Sequence, residues 1–263
     1  MAIMEEECVK VLRTAPIGEI VINRPKSLNA LNADVLQTLN LAVTKLLTNA
    51  DLRVVVIRGE GEKAFVAGAD IPGMASLGPR AIADYVELGQ RTMRVIEAAR
   101  VPVIAAVHGY ALGGGLELAL SCDVVIASRA AKFGQPEVNL GIIPGFGGTQ
   151  RLIQRCGLGT ARRLILSGEM ISGEEAYQLG LVDKLCEPEA FNETVEKFVS
   201  LVAAKAPLAV QGAKRVLRSS QEPALLSGLR HEVEEFLRLF GTVDREEGMS
   251  AFVQKREAKF LGK

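Results

Sequence analysis

The sequence predicts an α/β fold, and two patterns carry that prediction. Short apolar runs recur along the first half of the chain, at residues 54–57 (VVVI), 103–107 (VIAAV) and 124–127 (VVIA). Such runs are typical of strands buried on both faces of a sheet. Segments with helical periodicity lie between them, and buried strands that alternate with helices indicate an α/β architecture.

The N-terminal elements follow from local signals. Residues 19–23 (EIVIN) predict a strand that ends at Pro25, because proline disfavours a helical conformation for the residue before it. Asn32 is placed to cap a helix. In that helix the apolar residues recur at helical spacing, namely Val35, Leu36, Leu39, Val43, Leu46 and Leu47. Further helices are predicted at roughly residues 79–99, with Pro79 in the first turn, and at residues 116–120.

Beyond about residue 160 the sequence predicts helices and no further strands. Ser172 followed by Glu175 has the spacing of a capping box. One apolar stripe is formed by Leu229, Val233, Phe236, Leu237 and Phe240, and Glu232, Glu235 and Arg238 are placed off it. His231 is interpreted as helix surface. We expect a core over residues 1–199 and a C-terminal helical subdomain over residues 200–263.

Composition restricts the class of function. The 263 residues include 31 Lys plus Arg and 31 Asp plus Glu, so no bulk electrostatic attraction to nucleic acid or to an anionic membrane is expected. The first ten residues lack the apolar core of a secretory signal, and the uncharged stretch at residues 101–116 is too short to span a bilayer. The four cysteines form no CxxC pair, so we expect reduced thiols and a cytoplasmic location, with no metal.

The first candidate site is the stretch 105–117, where a predicted strand leads through Gly113, Gly114 and Gly115 into a helix. Glycine lets a ligand approach the backbone, and free N–H groups at a helix start stabilise negative charge. The phosphate-loop and dinucleotide patterns are absent. The structural alternative is that the glycines only permit close packing. Glu117 stands among apolar neighbours, which is unusual for a surface glutamate, although a glutamate in a first helical turn also stabilises the helix dipole.

The second candidate site is the stretch 133–150, which is rich in glycine and proline and is predicted to be a loop. Glu137 is the only charged residue between Lys132 and Arg151. A lone carboxyl group in apolar surroundings has a raised pKa, which suits a general acid.

Five segments together resemble the crotonase (enoyl-CoA hydratase/isomerase) family over essentially the whole chain. They are INRP at 22–25 with LNAL at 28–31, AFVAGADI at 64–71, HGYALGGGLEL at 108–118, FGQPE at 133–137, and residues 141–151. The resemblance implies a spiral of repeated ββα units with a C-terminal helical region for trimerisation. It also implies a homotrimer or a dimer of trimers, and no cofactor beyond the acyl-CoA substrate.

The resemblance further assigns roles to residues. It places an oxyanion hole at the backbone N–H groups of Ala69 and Gly114, and an acid–base pair at Glu117 and Glu137. Contacts to the substrate and its CoA portion are expected from Arg24, Lys26, Leu28, Ala30, Ala67, Gly68, Asp70 and Ile71. His108 stands where the family usually has Asn or Asp, and we expect it to be structural.

Both glutamates favour an enoyl-CoA hydratase, which adds water across a trans-2-enoyl-CoA to give a 3-hydroxyacyl-CoA. Within the family the alternatives are an enoyl-CoA isomerase, which needs one carboxylate, and a branched-chain hydratase of the methylglutaconyl type. Outside it, the alternative is a non-catalytic CoA- or RNA-binding scaffold. The balanced charge and the presence of both glutamates disfavour that alternative.

Overall fold

A computed structural model of the chain describes residues 7–219 and 222–261. The strands are β1 (Val9–Arg13), β2 (Ile17–Ile22), β3 (Val54–Gly59), β4 (Ala64–Val66), β5 (Val103–Val107), β6 (Tyr110–Leu112), β7 (Val124–Ser128), β8 (Lys132–Gly134), β9 (Met170–Ser172) and β10 (Lys184–Cys186). The helices are α1 (Ala33–Leu47), α2 (Ile71–Ala75), α3 (Pro79–Glu97), α4 (Gly114–Leu120), α5 (Gly148–Ser167), α6 (Gly173–Gln178), α7 (Phe191–Ala203), α8 (Pro207–Ser219), α9 (Glu222–Phe240) and α10 (Val243–Gln254). Short 3-10 helices span Pro25–Ser27, Pro136–Leu140 and Pro188–Ala190.

The strands form two sheets, and successive segments of the chain contribute strands to both of them. The larger sheet has the order β1-β2-β3-β5-β7-β10, and every neighbouring pair except β1 and β2 is parallel. The smaller sheet has the order β4-β6-β8-β9, with β9 antiparallel to β8. In the first unit, β1 and β2 both join the larger sheet before α1. The next three units, β3-β4-α2-α3, β5-β6-α4 and β7-β8-α5, each give one strand to each sheet and then a helical segment. The predicted α/β fold and its repeated ββα units are confirmed.

Two predictions about secondary structure are wrong. Strands continue beyond residue 160, because β9 completes the smaller sheet and β10 completes the larger one. Both have only three residues, too few to show a periodic pattern. The stretch 133–150 is not loop throughout, since it contains the end of β8, a 3-10 helix at Pro136–Leu140 and the start of α5.

The larger sheet is buried on both faces. Along β3, Val55 and Ile57 pack into the main core, while Val54 and Val56 pack against Phe191, Val195 and Val199 of α7. This two-sided burial explains the uninterrupted apolar runs in the sequence. The boundary expected after residue 199 falls inside α7.

The predicted helix caps are confirmed. Asn32 accepts a hydrogen bond from Val35 N–H at 2.9 Å, and Ser172 accepts one from Glu175 N–H at 3.1 Å. No helix within the described residues is both long and apolar enough to cross a bilayer.

Candidate active site

A cavity of about 270 Å³ lies where the two glycine-rich stretches meet. Glu117 and Glu137 both line it, together with Ala69 and Gly114. Most of the remaining wall is apolar and includes Met74, Tyr85, Leu140, Ile142, Phe146, Phe236 and Phe252. An apolar cavity with a few convergent polar groups is the usual form of a small-molecule site.

The N–H groups of Ala69 and Gly114 come from neighbouring loops. The bridge between Leu31 and Ala69 uses the Gly68 carbonyl and the Asp70 N–H, at 2.8 and 3.0 Å, so Ala69 N–H lies outside that pairing. Gly114 N–H belongs to the first turn of α4 and has no acceptor within the helix. The loops pack closely, since a Cβ on Gly68 would lie 3.4 Å from the Leu112 carbonyl oxygen. Ala69 and Gly114 both line the same cavity.

Gly113 and Gly115 are required for different reasons. Gly113 has φ +50°, and a Cβ there would lie 2.8 Å from Glu137 Oε1. A Cβ on Gly115 would overlap the Val66 carbonyl. Close packing, the structural alternative drawn from the sequence, thus holds for Gly115, while Gly113 gives room to a carboxylate.

Glu117 is almost fully buried and is fixed through one oxygen. Its Oε1 accepts hydrogen bonds from Phe146 N–H at 2.8 Å and Gly148 N–H at 2.6 Å. Among the described residues no donor is assigned to Oε2. One carboxylate oxygen therefore anchors the side chain while the other is available to a ligand in the cavity.

Glu137 lies in the 3-10 helix Pro136–Leu140 and is also buried. Gln135 lies beside it. With its side-chain nitrogen turned toward the carboxylate, Gln135 donates to Oε1 and Oε2 at 2.9 and 3.0 Å. Glu137 thus has a neutral amide as its side-chain neighbour, whereas Glu117 accepts from two backbone N–H groups of the turn that leads into α5.

Glu232 is a third buried carboxylate, next to this site but not in the cavity wall, and its predicted position off the apolar stripe is wrong. It is 3% exposed and accepts hydrogen bonds from Gly147 N–H at 2.6 Å and Thr149 N–H at 3.0 Å. The sequence contained a signal for the buried position of Glu232. Glu232 stands three residues after Leu229 and four before Phe236, which places it on the same helix face.

Burial raises the pKa of all three carboxyl groups. The pKa of Glu117 lies well above its usual value because of burial, with the charges of Glu232 and Glu137 adding to the rise and the N–H bonds from Gly148 and Phe146 opposing it. Burial, followed by the charge of Glu232, raises the pKa of Glu137 to about 8. Burial also raises the pKa of Glu232. The described residues contain no cluster of three or more His, Cys, Asp or Glu side chains suited to a metal ion.

The residues expected to contact CoA fall into two groups. Leu28, Ala67, Gly68 and Ile71 line the first cavity, and Lys26 with Leu28 lines a neighbouring cavity of about 340 Å³ that also includes Lys63. Arg24 contacts the other two expected residues: it donates to the Ala30 carbonyl at 2.7 Å and pairs with Asp70 at 2.9 Å. These three residues line neither cavity.

His108 lies outside both cavities. Its ring packs edge-on against Phe191 at 6.2 Å between ring centroids. Burial and the nearby charge of Arg58 lower its pKa.

Residues 13–263 match the family model described as enoyl-CoA hydratase/isomerase. A crotonyl-CoA hydratase of Syntrophomonas wolfei is 42% identical, covering 99% of this chain and all of its own. A short-chain-enoyl-CoA hydratase of Clostridium acetobutylicum is 41% identical, with 97% of each chain covered. The crystal structure of an enoyl-CoA hydratase from Bacillus anthracis is 36% identical and superposes with a TM-score of 0.79, covering 97% of this chain and all of its own.

Proposed function

Because the chain belongs to the enoyl-CoA hydratase/isomerase family, we propose that it is an enoyl-CoA hydratase that adds water across a trans-2-enoyl-CoA. The observation that carries this proposal is the placement of Glu117 and Glu137 in one apolar cavity that Ala69 and Gly114 also line. Relatives named crotonyl-CoA hydratase and short-chain-enoyl-CoA hydratase support it.

The proposed oxyanion hole stabilises the charge that the reaction creates. When water attacks the β-carbon, the electron pair of the double bond moves toward the thioester oxygen, which becomes an enolate oxygen. Ala69 and Gly114 donate their N–H groups to that oxygen. Fixed donors in a cavity that excludes water stabilise such charge without reorganisation.

The two glutamates divide the proton transfers. Glu117 has two N–H donors on Oε1, which favour its ionised form, and its Oε2 accepts the proton of the attacking water. Glu137 lies beside a neutral amide, burial raises its pKa, and it delivers its proton to the α-carbon. The proton that Glu117 takes from water replaces the one that Glu137 gives up, so the pair again holds one shared proton after it passes back to Glu137. The two carboxyl groups therefore titrate as a coupled pair.

The decisive experiment follows the ultraviolet absorbance of a short trans-2-enoyl-CoA mixed with the protein. Hydration removes the conjugation between alkene and thioester, so absorbance falls as 3-hydroxyacyl-CoA forms. An isomerase would instead raise absorbance from a 3-enoyl-CoA substrate and leave the trans-2-enoyl-CoA unhydrated. That result would replace the proposed function.

We expect hydration to slow as the pH rises through about 8. Glu137 acts as an acid only while protonated, and its raised pKa keeps the proton bound near neutral pH. Above that pKa the proton is lost and kcat falls with it. The measurement is kcat at saturating substrate across the pH range, and a flat alkaline side would contradict the assignment of Glu137.

We expect Gly114→Pro to reduce kcat/KM by about 10²–10³-fold, the effect of losing one oxyanion donor. Proline removes the N–H at the first position of α4, where helices tolerate it. Gly114→Ala is the matched control, because it keeps the N–H and adds the same Cβ, 3.2 Å from the Phe146 ring. Equal rates for the two variants would remove Gly114 N–H from the mechanism.

We also propose that the C-terminal helices supply the surface for a homotrimer or a dimer of trimers. Leu208 and Val216 on α8 are 79% and 70% exposed in the single chain. Exposed apolar groups of this kind are typical of subunit contacts when they form a continuous patch.

A further inference from the structure

The turn that leads into α5 is held by two glutamates from different parts of the chain. The N–H groups of residues 146–149 alternate between them: Phe146 and Gly148 donate to Glu117, and Gly147 and Thr149 donate to Glu232. Glu117 comes from α4 and Glu232 from α9, 115 positions apart in the sequence. Each carboxylate accepts hydrogen bonds from every second N–H group of the turn. A displacement of the N–H groups bound to one carboxylate therefore displaces those bound to the other.

Glu232 acts here as a carboxylate anion. Besides the two backbone N–H groups, the Thr149 hydroxyl donates to its Oε2 and Gln90 Nε2 donates to its Oε1 at 3.3 Å. All four contacts are donors, so a proton on Glu232 would displace one of them. The positive end of the α5 dipole adds to the stabilisation of the anion, and Arg151 lies close enough to act in the same direction.

The same turn also supports the proposed oxyanion hole. The Phe146 ring lies against Gly114, where a Cβ would be 3.2 Å from two ring carbons. On the other side, Arg151 donates to the Phe146 carbonyl at 2.6 Å. The position of residues 146–149 therefore affects both Glu117 and the start of α4.

We propose that Glu232 is a positioning residue for hydration: it holds the turn at residues 146–149 so that Phe146 and Gly148 fix Glu117 Oε1 and leave Oε2 facing the substrate water. Glu232 does not line the cavity and acts through the turn. This inference rests on the proposed function for its kinetic consequences, while the geometry of the turn is independent of the substrate.

The charge of Glu232 has a second consequence. A buried anion near Glu117 and Glu137 raises the pKa of both groups. Removing the charge therefore lowers both pKa values, and the alkaline side of the pH profile moves to lower pH.

The test compares Glu232→Gln with the native protein. An amide has one acceptor oxygen, so its nitrogen faces either Gly147 N–H or Thr149 N–H and the turn loses a hydrogen bond. We expect kcat to fall on the order of 10- to 100-fold, the scale of a misplaced reacting group, with KM changed by less than about threefold. The decline of kcat on the alkaline side of the pH profile (the alkaline limb) is expected to move to lower pH.

The matched control is Glu19→Gln. Glu19 is also a buried carboxylate, but it pairs with Arg13 and Arg58 at 2.6 and 2.9 Å and lines neither cavity. This variant should lower the melting temperature and leave the alkaline limb in place. Thr149→Ala keeps the backbone N–H bond to Glu232 and removes the hydroxyl, which donates to Glu232 and accepts from Gln150 Nε2 at 2.9 Å. It should give a smaller fall in kcat, which keeps the inference testable if Glu232→Gln does not fold.

Three results would overturn the positioning role: native kcat in Glu232→Gln, a fall in kcat that matches only the loss of folded protein, or an unmoved alkaline limb. The native protein is assayed first, because failure to hydrate any trans-2-enoyl-CoA rejects the proposed function and not this inference. In that case infrared titration of the buried carboxyl groups still tests the inference. The Glu117 signal is the one that disappears in Glu117→Gln, and Glu232→Gln must shift it.

Discussion

Glu117→Gln is expected to reduce kcat for hydration by about 10²–10⁴-fold, the range for loss of a general base. The amide oxygen of glutamine can still accept from Phe146 N–H and Gly148 N–H, so the turn into α5 should keep its structure. The amide nitrogen then replaces Oε2 and faces the substrate water. It cannot accept the water's proton, so the loss falls on kcat while substrate binding is largely kept.

The measurement is the initial rate of absorbance loss with a short trans-2-enoyl-CoA, together with binding of a saturated acyl-CoA. Unchanged binding and an unchanged melting temperature would locate the defect in the chemical step. Near-native turnover would show that Glu117 is not the base.

Glu137→Gln is expected to cause a loss of similar size, about 10²–10⁴-fold in kcat, for a different reason. Glutamine has no proton to deliver to the α-carbon. The substitution also removes a group whose pKa, at about 8, suits proton donation near neutral pH. Gln135 can still donate to the amide oxygen of the new side chain, so the 3-10 helix at Pro136–Leu140 should persist.

A substrate without a double bond separates the two glutamates. In heavy water, exchange of the α-protons of a saturated acyl-CoA needs the oxyanion hole and the group at the α-carbon, but no attacking water. Glu137→Gln should abolish this exchange and Glu117→Gln should largely keep it. The reverse pattern would exchange their assigned roles.

The sequence predicts the local surroundings of the two glutamates but not their proximity to each other. The sequence shows Glu137 alone in an apolar stretch and Glu117 at a helix start, and both patterns come from neighbours along the chain. Their convergence on one cavity depends on the pairing of β6 with β8, which brings the two glycine-rich stretches side by side. Pairing of distant strands leaves little trace in a single sequence, and here the family resemblance supplied it.

Local signals determined most of the fold. The buried strands β3, β5 and β7 are visible because two-sided burial makes every position apolar, and Asn32 and Ser172 are visible because a cap needs a side-chain oxygen at one position. The three-residue strands β9 and β10 are too short to carry such a pattern, and the sheets to which they pair determine them.

Glu232 marks the limit of what the sequence by itself determined. Its spacing from Leu229 and Phe236 places it on the buried face of α9, yet a charged side chain is ordinarily assigned to the solvent. Only the tertiary structure supplies the N–H groups of Gly147 and Thr149, from a turn far away in the chain, that make burial of this carboxylate favourable. The sequence thus indicates the residues to which we assign the chemistry, and the packing of α9 against the start of α5 decides how they are held. A buried charge is stable only where distant parts of the chain provide its partners.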